Sequence, residues 1–342
     1  MSDAAGNAGG ETTSVGGESS GSGGGGRWRS WVMGSIPWLV TVAILVWILR
    51  TTDMLAMWRA VEQANWVFFF GSMLTLFALL WVVDSSAILW IYKRFHAPTM
   101  KLTDVLPVRG TTYIVGILNY AAASAAMAFY FRRRWNIGIV EGGSSLLVLL
   151  LVDLGLAIIS TAVGSFLLPE QFRGMAILLG AGFAAAAAAH LLFWRAPWKW
   201  GPLEVIRNWP RLHGFRAARV LDYATVGLLR LPVTAIYICM HMATLMAFNI
   251  HVPLERMLVY VPVQMVIAVL PIGVSGLGAG QAAQRLLYTE WAEQTHGVDA
   301  MATVDAYGLA LFLGFLLPRV LIGLASLQVT SREMAREVGS DS

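Results

Sequence analysis

Long apolar stretches separated by short polar segments make up most of the chain from residue 31 onward. Eight such stretches lie at 31–49, 66–92, 105–131, 143–168, 174–194, 221–248, 257–292 and 304–329. Several of them reach the roughly 20 residues that an α-helix needs to cross the hydrocarbon core of a bilayer. Composition agrees, since 57% of the residues are hydrophobic and 13% are charged, against about 25% charged in soluble domains. The pattern predicts an all-α polytopic membrane protein.

Two of the eight stretches are interrupted near their middle. In 257–292, Pro271 is followed by four glycines within LPIGVSGLGAGQ, and each flanking arm of roughly 13 residues is too short to cross a bilayer. The stretch 105–131 contains a polar Asn119 and the small-residue run AAASAAMA at 121–128. We interpret both stretches as re-entrant helical hairpins that return to the side they entered. The sequence thus predicts about six full spans plus two hairpins.

The distribution of positive charge predicts the topology. With the N-terminus inside and both hairpins re-entrant, sixteen of the 24 Lys and Arg residues are cytoplasmic and four are outside. The alternative, in which 105–131 is a full span, puts the three arginines of 132–134 outside and weakens this bias. In the preferred topology, with both hairpins re-entrant, both termini are cytoplasmic. The halves 31–168 and 174–329 have opposite orientations, which is the layout of an inverted-topology repeat.

The sequence predicts three parts of the chain. Residues 1–26 are rich in Gly and Ser and predict a disordered cytoplasmic tail. Residues 27–330 are predicted to form the transmembrane domain, and 331–342 a short cytoplasmic tail.

Several kinds of site are excluded by the residues present. A single cysteine, Cys239, excludes an internal disulfide. The six histidines have no zinc-ligand spacing, and no hydrolase, zincin or P-loop motif occurs. We therefore expect no metal, no cofactor and no catalytic residue.

The loop at 195–219 carries six basic residues and four Trp or Phe residues. Aromatic residues belong at the headgroup level, and basic residues there attract anionic lipids. The loop predicts a segment that rests on the membrane, and its apolar character argues against nucleic acid as a partner.

The glycine cluster also predicts a binding site. A helix that begins near Gly278 would present free N–H groups and a positive dipole end to an anionic group such as phosphate. The candidates at this helix start are Gly276, Gly278, Gly280 and Gln281. The alternative is a small-residue packing motif, because glycines let membrane helices approach closely.

Ionisable and polar residues at membrane depth supply further candidates. Arg285 lies four residues after Gln281, on the same helical face, and could hold a phosphate as a bidentate donor; the alternative is that it snorkels to the interface. Arg319 is expected to face a cavity or to pair with Asp153. Asn119 is expected either to line that cavity or to bond backbone at the first hairpin. Three further residues fall inside apolar stretches and are expected to snorkel (Arg109) or to pair between helices (Asp84, Arg230).

The stretch LPIGVSGLGAGQ resembles the P-x-x-x-x-G-L-G-x-x-E signature of the lysylphosphatidylglycerol synthase transmembrane region, a family that includes stand-alone flippase-like proteins. Other family signposts are similar to GILNY at 116–120, FRRRWNIG at 131–138, LVDL at 151–154 and FLLPRVLIGL at 315–324. The resemblance covers residues 28–330. It implies paired re-entrant hairpins, lipid translocation and a bacterial inner membrane.

The chain departs from the family pattern at both hairpins. Gln281 stands where the family signature has Glu, and the first tip lacks the family's Pro, Arg and Gly-Glu pair. The sequence also has no soluble aminoacyl-transferase domain, so the resemblance implies that it is not the synthase. These departures leave open whether the substrate differs or whether transport is lost.

Three functions follow as expectations. The first is a transporter or flippase that moves a lipid or lipid-linked anionic substrate between leaflets, with anionic membrane lipids as partners. The second is a non-transporting membrane partner or scaffold of a lipid or cell-envelope biosynthetic enzyme. The third, an integral membrane transferase, is the least favoured, because no cluster of carboxylates or histidines is evident at either membrane face.

Overall fold

The computed structural model describes residue 46 and the ranges 50–118, 120–167, 170–195, 201–209, 212–269 and 278–340. Throughout these ranges the secondary structure is helical and contains no β-strand. Two short 3-10 turns occur at Ser165–Leu167 and Gly297–Asp299. The α-helices are α1 (Met54–Gln63), α2 (Trp66–Phe95), α3 (Leu102–Leu118), α4 (Tyr120–Trp135), α5 (Ile139–Gly164), α6 (Glu170–Arg195), α7 (Gly201–Arg207), α8 (His213–Ala217), α9 (Val220–Ala247), α10 (Leu254–Val269), α11 (Ala279–His296) and α12 (Ala300–Ser340).

Five helical stretches in the described part are long and apolar enough to cross a membrane. Four of them are α2, α5, α9 and the part of α6 from Ile177 to Arg195, and the fifth lies in the stretch Ala279–Ser331, which contains α11 and most of α12. These stretches coincide with five of the six predicted spans. The first predicted span, 31–49, lies largely outside the described residues. The chain is therefore an all-α protein with the character of an integral membrane protein.

Helices α2 and α9 form an antiparallel pair through the centre of the bundle. The backbone N–H of Asn65 donates to the carbonyl of Ala247 at one end, and Arg94 Nε donates to Asp222 Oδ1 at 3.0 Å at the other. We call this second end the basic end, because exposed Lys93, Arg94 and Arg132 lie on helices that terminate there. Apolar contacts make up most of the interface between these ends, and Asp84 of α2 pairs with Arg230 of α9 within it.

Helices α3 and α4 fold back on each other and form the first helical pair. A methyl group added at Gly116 would lie 3.6 Å from the Cβ of Ala123, whereas residues seven apart in one continuous helix are about 10 Å apart. The pair also begins and ends beside the C-terminal part of α2. Trp81 donates to the carbonyl of Leu106, and the rings of Tyr92 and Phe131 are 4.4 Å apart.

Helices α10 and α11 form the second helical pair. Gln264 Nε2 donates to the hydroxyl of Tyr288 at 2.7 Å, and the Tyr260 and Tyr288 rings meet edge to face at 5.7 Å. The far end of α11 returns to the start of α10, since His296 hydrogen-bonds the carbonyl of Phe248 at 2.9 Å. This pair therefore begins and ends at the end of the bundle opposite to the basic end.

The first helix of each pair packs against a long helix from the other half of the chain. Helix α3 contacts α12, where a methyl group added at Gly110 would lie 2.7 Å from the Cβ of Ser326. Helix α10 contacts α5, where a methyl group added at Gly164 would overlap the side chain of Val259. Glycine thus permits both close helix approaches.

Candidate functional site

The C-terminal end of α3 and the N-terminal end of α11 both lie beside the middle of α12. On one side, Ile114 packs against Gly323, so Leu118 at the end of α3 is level with Arg319, one turn further along each helix. On the other side, Gly308 packs against Gln281 and Gln284, which places the start of α11 level with about residue 312. The two ends are therefore separated by about 10 Å along α12.

The start of α11 combines free backbone groups with open space. Gly278 precedes the helix at φ 86°, a conformation that favours glycine, and no side chain of the described residues caps the helix there. A methyl group added at Gly280 would meet nothing within 4 Å. The first N–H groups of α11 therefore lack partners within the helix.

Two glutamine side chains lie next to this helix start. The Oε1 atoms of Gln281 and Gln284 are buried and have no hydrogen-bond partner among the described residues. Gln284 is 7% exposed, and its amide fills the space that Gly308 leaves on α12. A buried polar atom without a partner is costly in free energy, and such atoms are often matched by a ligand or water.

Arg319 supplies a positive charge near the end of the first helical pair. Its side chain is half-buried, and its guanidinium lies 5.7 Å from the centre of the Phe315 ring. Among the residues that the structure describes, no hydrogen bond or ion pair joins it. The Phe315 ring in turn contacts Tyr237 at 5.6 Å, with Phe77 and His241 about a further ångström away.

Arg285, the other predicted anion ligand, already has an anionic partner. Its Nε and Nη2 atoms donate to the two carboxylate oxygens of Asp305 at 2.6 and 2.7 Å. Its remaining donors reach the hydroxyls of Thr51 and Thr52. Arg285 is buried, so the alternative that it snorkels to the interface is wrong. Its predicted role in holding phosphate stays a prediction and would require it to leave Asp305.

A second set of charges, which we call the charge cluster, consists of Asp84, Arg109, Asp153 and Arg230. Arg230 donates through Nη1 to Asp84, and through Nε and Nη2 to the two oxygens of Asp153 at 2.5 and 2.6 Å. Arg109 Nε donates to the other oxygen of Asp84. Four helices, α2, α3, α5 and α9, are joined by these bonds.

The charge cluster decides between alternatives that the sequence left open. Asp153 pairs with Arg230 and not with Arg319. The expectation that Arg109 snorkels is wrong, because its guanidinium binds Asp84 and stacks 4.9 Å from the Tyr113 ring. The expected pairing between helices of Asp84 and Arg230 is confirmed.

Sequence reasoning missed a buried row of polar side chains in the second half of the bundle. His241 Nδ1 lies 2.8 Å from the hydroxyl of Tyr307. The ring of Tyr307 meets that of Tyr288 edge to face at 5.4 Å, and the Tyr288 hydroxyl accepts from Gln264. This row joins α9, α12, α11 and α10. Its members are scattered along the chain and share no motif spacing, so no signal in the sequence groups them.

The predicted site residues are thus only partly brought together. Gly278, Gly280 and Gln281 lie at the start of α11, Arg319 lies level with the end of α3, and Asp153 and Arg285 lie in two separate ion-pair clusters. Asn119 and Gly276 lie outside the described residues. Within the described ranges, no group of three His, Cys, Asp or Glu residues could hold a metal ion. Comparison of this chain with protein-family models, curated proteins and solved structures found no match.

Proposed function

We propose that this protein is a membrane transporter that moves a lipid or lipid-linked, phosphate-bearing substrate between the two leaflets. The observation that carries the proposal is the exchange of contacts between the halves of the chain. Helix α3 packs on α12 of the second half, and α10 packs on α5 of the first half. Transporters built from inverted-topology repeats bind substrate where the two repeats meet.

Further contacts support the inverted repeat. The correspondence pairs α2 with α9, α3 with α10, α4 with α11 and α5 with α12. Under it, the α4–α5 contact corresponds to α11–α12, and α2–α3 corresponds to α9–α10. The helical pairs open toward opposite ends of the bundle, as expected for two re-entrant hairpins that enter from opposite membrane faces. The central α2–α9 pair then lies near the pseudo-twofold axis.

The middle of α12 is the substrate position that this arrangement favours. The start of α11 offers backbone N–H groups and the positive end of a helix dipole. Arg319 offers a guanidinium that carries no ion pair to any described residue and is only half-buried. Together they suit the phosphate of a headgroup, while the apolar surface of the long helices suits acyl or polyprenyl chains. Since the sequence has no ATP-binding motif, the substrate moves down its gradient or with a coupled ion.

A lipid-transport assay tests this proposal. The purified protein is reconstituted in liposomes with fluorescent phosphatidylglycerol, and the fraction of label that a membrane-impermeant quencher reaches is followed over time. We expect Arg319→Ala to slow transport at least about tenfold, since a hydrogen bond to a charged group contributes about 1.5–3 kcal/mol. Arg319→Lys should retain part of the rate.

Arg59→Ala is the matched control for this assay. This variant also removes one positive charge. The Arg59 side chain is 52% exposed and pairs with Asp299, away from the middle of α12, so the transport rate should not change. Transport by Arg319→Ala at the wild-type rate would contradict the assigned position.

A second candidate function is a non-transporting membrane partner of a lipid or envelope enzyme. One observation favours it: Arg285, the strongest predicted anion ligand, is neutralised by Asp305. If wild-type protein transports neither phosphatidylglycerol nor a polyprenyl phosphate in the same assay, this candidate is preferred.

A further inference from the structure

The two carboxylates of the charge cluster differ in exposure and in the number of arginines that bind them. The side chain of Asp84 is 5% exposed and receives hydrogen bonds from both Arg109 and Arg230. The side chain of Asp153 is 24% exposed, and Arg230 is its partner in the cluster. Asp84 is therefore the fixed anion of the cluster, and Asp153 is the carboxylate that water or a ligand reaches first.

The charges of the cluster balance only while Asp153 is in place. Two arginines and two aspartates give a neutral set, and the set becomes positive by one charge when Asp153 withdraws. A buried positive charge without a partner is strongly unfavourable. Loss of Asp153 therefore creates a demand for another anion at the same place.

The geometry of the Arg230–Asp153 contact defines what such an anion must look like. Nε and Nη2 of Arg230 hold two oxygens of one planar group at 2.5 and 2.6 Å. Phosphate presents the same pair of oxygens to a guanidinium, so the two groups compete for one edge of Arg230.

We propose that Asp153 is an exchangeable stand-in for an anionic ligand, and that a phosphate group replaces it on Nε and Nη2 of Arg230. Arg109 contributes the second positive charge nearby, and Asp84 stays as the fixed partner of both arginines. Because α5 carries Asp153 and packs on α10, the exchange removes the ion pair between α5 and α9 and so links anion binding to movement between the halves. The identification of the phosphate as part of a transported headgroup rests on the proposed function.

The test is binding of inorganic phosphate to purified protein in detergent, measured as a rise in melting temperature and by calorimetry. Asp153→Asn removes the competing charge while keeping the side-chain shape. We expect this variant to fold and to bind phosphate at least about tenfold more tightly than wild type. Adding Arg230→Gln to Asp153→Asn should abolish that binding.

Asp84→Asn is the matched control, since it makes the same chemical change at the fixed carboxylate. It should lower the melting temperature and should gain no phosphate binding, because the position of Asp84 is only 5% exposed and Asp153 still occupies Nε and Nη2 of Arg230. If Asp153→Asn is as unstable as Asp84→Asn, Asp153 is not exchangeable and the proposal is overturned. Phosphate binding that survives Arg230→Gln overturns it as well.

A second arm separates a lipid headgroup from free phosphate. Asp153→Asn is placed in phosphate-free nanodiscs of phosphatidylcholine with or without phosphatidylglycerol. Stabilisation by phosphatidylglycerol that requires Arg230 identifies a headgroup, and stabilisation by added phosphate alone identifies the free anion. These binding measurements require no transport. If they give the results expected above while the wild-type protein transports no lipid, the proposed function is contradicted and the exchange at Arg230 is still supported.

Discussion

Arg285 and Asp305 face each other across α11 and α12 through two parallel hydrogen bonds of 2.6 and 2.7 Å. Both residues are less than a tenth exposed. Thr52 completes the contact by donating to the same carboxylate at 2.5 Å. The pair thereby fixes the second helical pair to α12 and to the segment before α1, close to the helix start that suits an anion.

Removing one member of this pair is expected to be strongly destabilising. Asp305→Ala would leave the Arg285 charge buried without its counter-ion, and such losses cost about 3–5 kcal/mol. The measurement is the melting temperature, or the denaturant midpoint, of purified protein in one detergent.

An exposed ion pair of the same charges provides the control. Arg59 and Asp299 lie 3.8 Å apart with side chains 52% and 38% exposed, so Asp299→Ala should cost less than about 1 kcal/mol. Equal losses for Asp305→Ala and Asp299→Ala would show that burial does not govern the first pair.

The reversal between α3 and α4 predicts a disulfide. In a Cys239→Ser background, cysteines at Gly116 and Ala123 would have Cβ atoms about 3.6 Å apart, within the range that disulfides require. We expect mild oxidation to form an internal bond, seen as a mass decrease of about two hydrogens and as protection from thiol labelling.

Gly116→Cys with Ala125→Cys is the control for that bond. Ala125 is exposed, two positions beyond Ala123 on another face of α4, and this pair should stay reduced. If neither pair forms a bond, positions 116 and 123 do not approach each other, which would contradict the reversal between α3 and α4 and the re-entrant interpretation of 105–131.

Close packing between the halves predicts that larger residues at two glycines destabilise the fold. Gly110→Leu would overlap Ser326 on α12, and Gly164→Leu would overlap Val259 on α10. Each substitution should lower the free energy of unfolding by about 1–3 kcal/mol. At Gly71 of α2 an added methyl group meets nothing within 4 Å, so Gly71→Leu should leave the melting temperature nearly unchanged. A loss at Gly110 with none at Gly164 would argue against equivalent roles in a repeat.

Gly308→Ala is expected to affect transport more than stability. Its methyl group would displace the flexible Gln284 amide from beside the start of α11, a small cost for the fold. Gly314→Ala is the control for the same change on α12 away from α11, and its methyl group would meet the end of the Met73 side chain at 2.6 Å and the Phe69 ring at 2.8 Å. We expect a slower rate in the lipid assay for Gly308→Ala alone. Equal rates for the two variants would show that the position of the Gln284 amide beside the start of α11 does not affect transport.

The sequence by itself determined the class of the protein and the position of its long helices. Apolar stretches long enough to span a bilayer are fixed by local composition, because backbone groups in lipid must be satisfied within a helix. For the same reason the interruptions near Asn119 and the glycine cluster marked the two places where helices end. Gly278, which directly precedes α11, has a positive φ that glycine readily adopts.

Only the tertiary structure decided which charges meet. Asp153 and Arg230 are 77 positions apart, and no local pattern distinguishes Arg230 from Arg319 as the partner of Asp153. Pairing depends on which faces of α5 and α9 pack together, and that is set by side-chain volumes along the whole interface. The same holds for Arg285. Its spacing from Gln281 predicted that the two residues share a helical face. Its pairing with Asp305 depends on the packing of α12 and of Thr52 against α11.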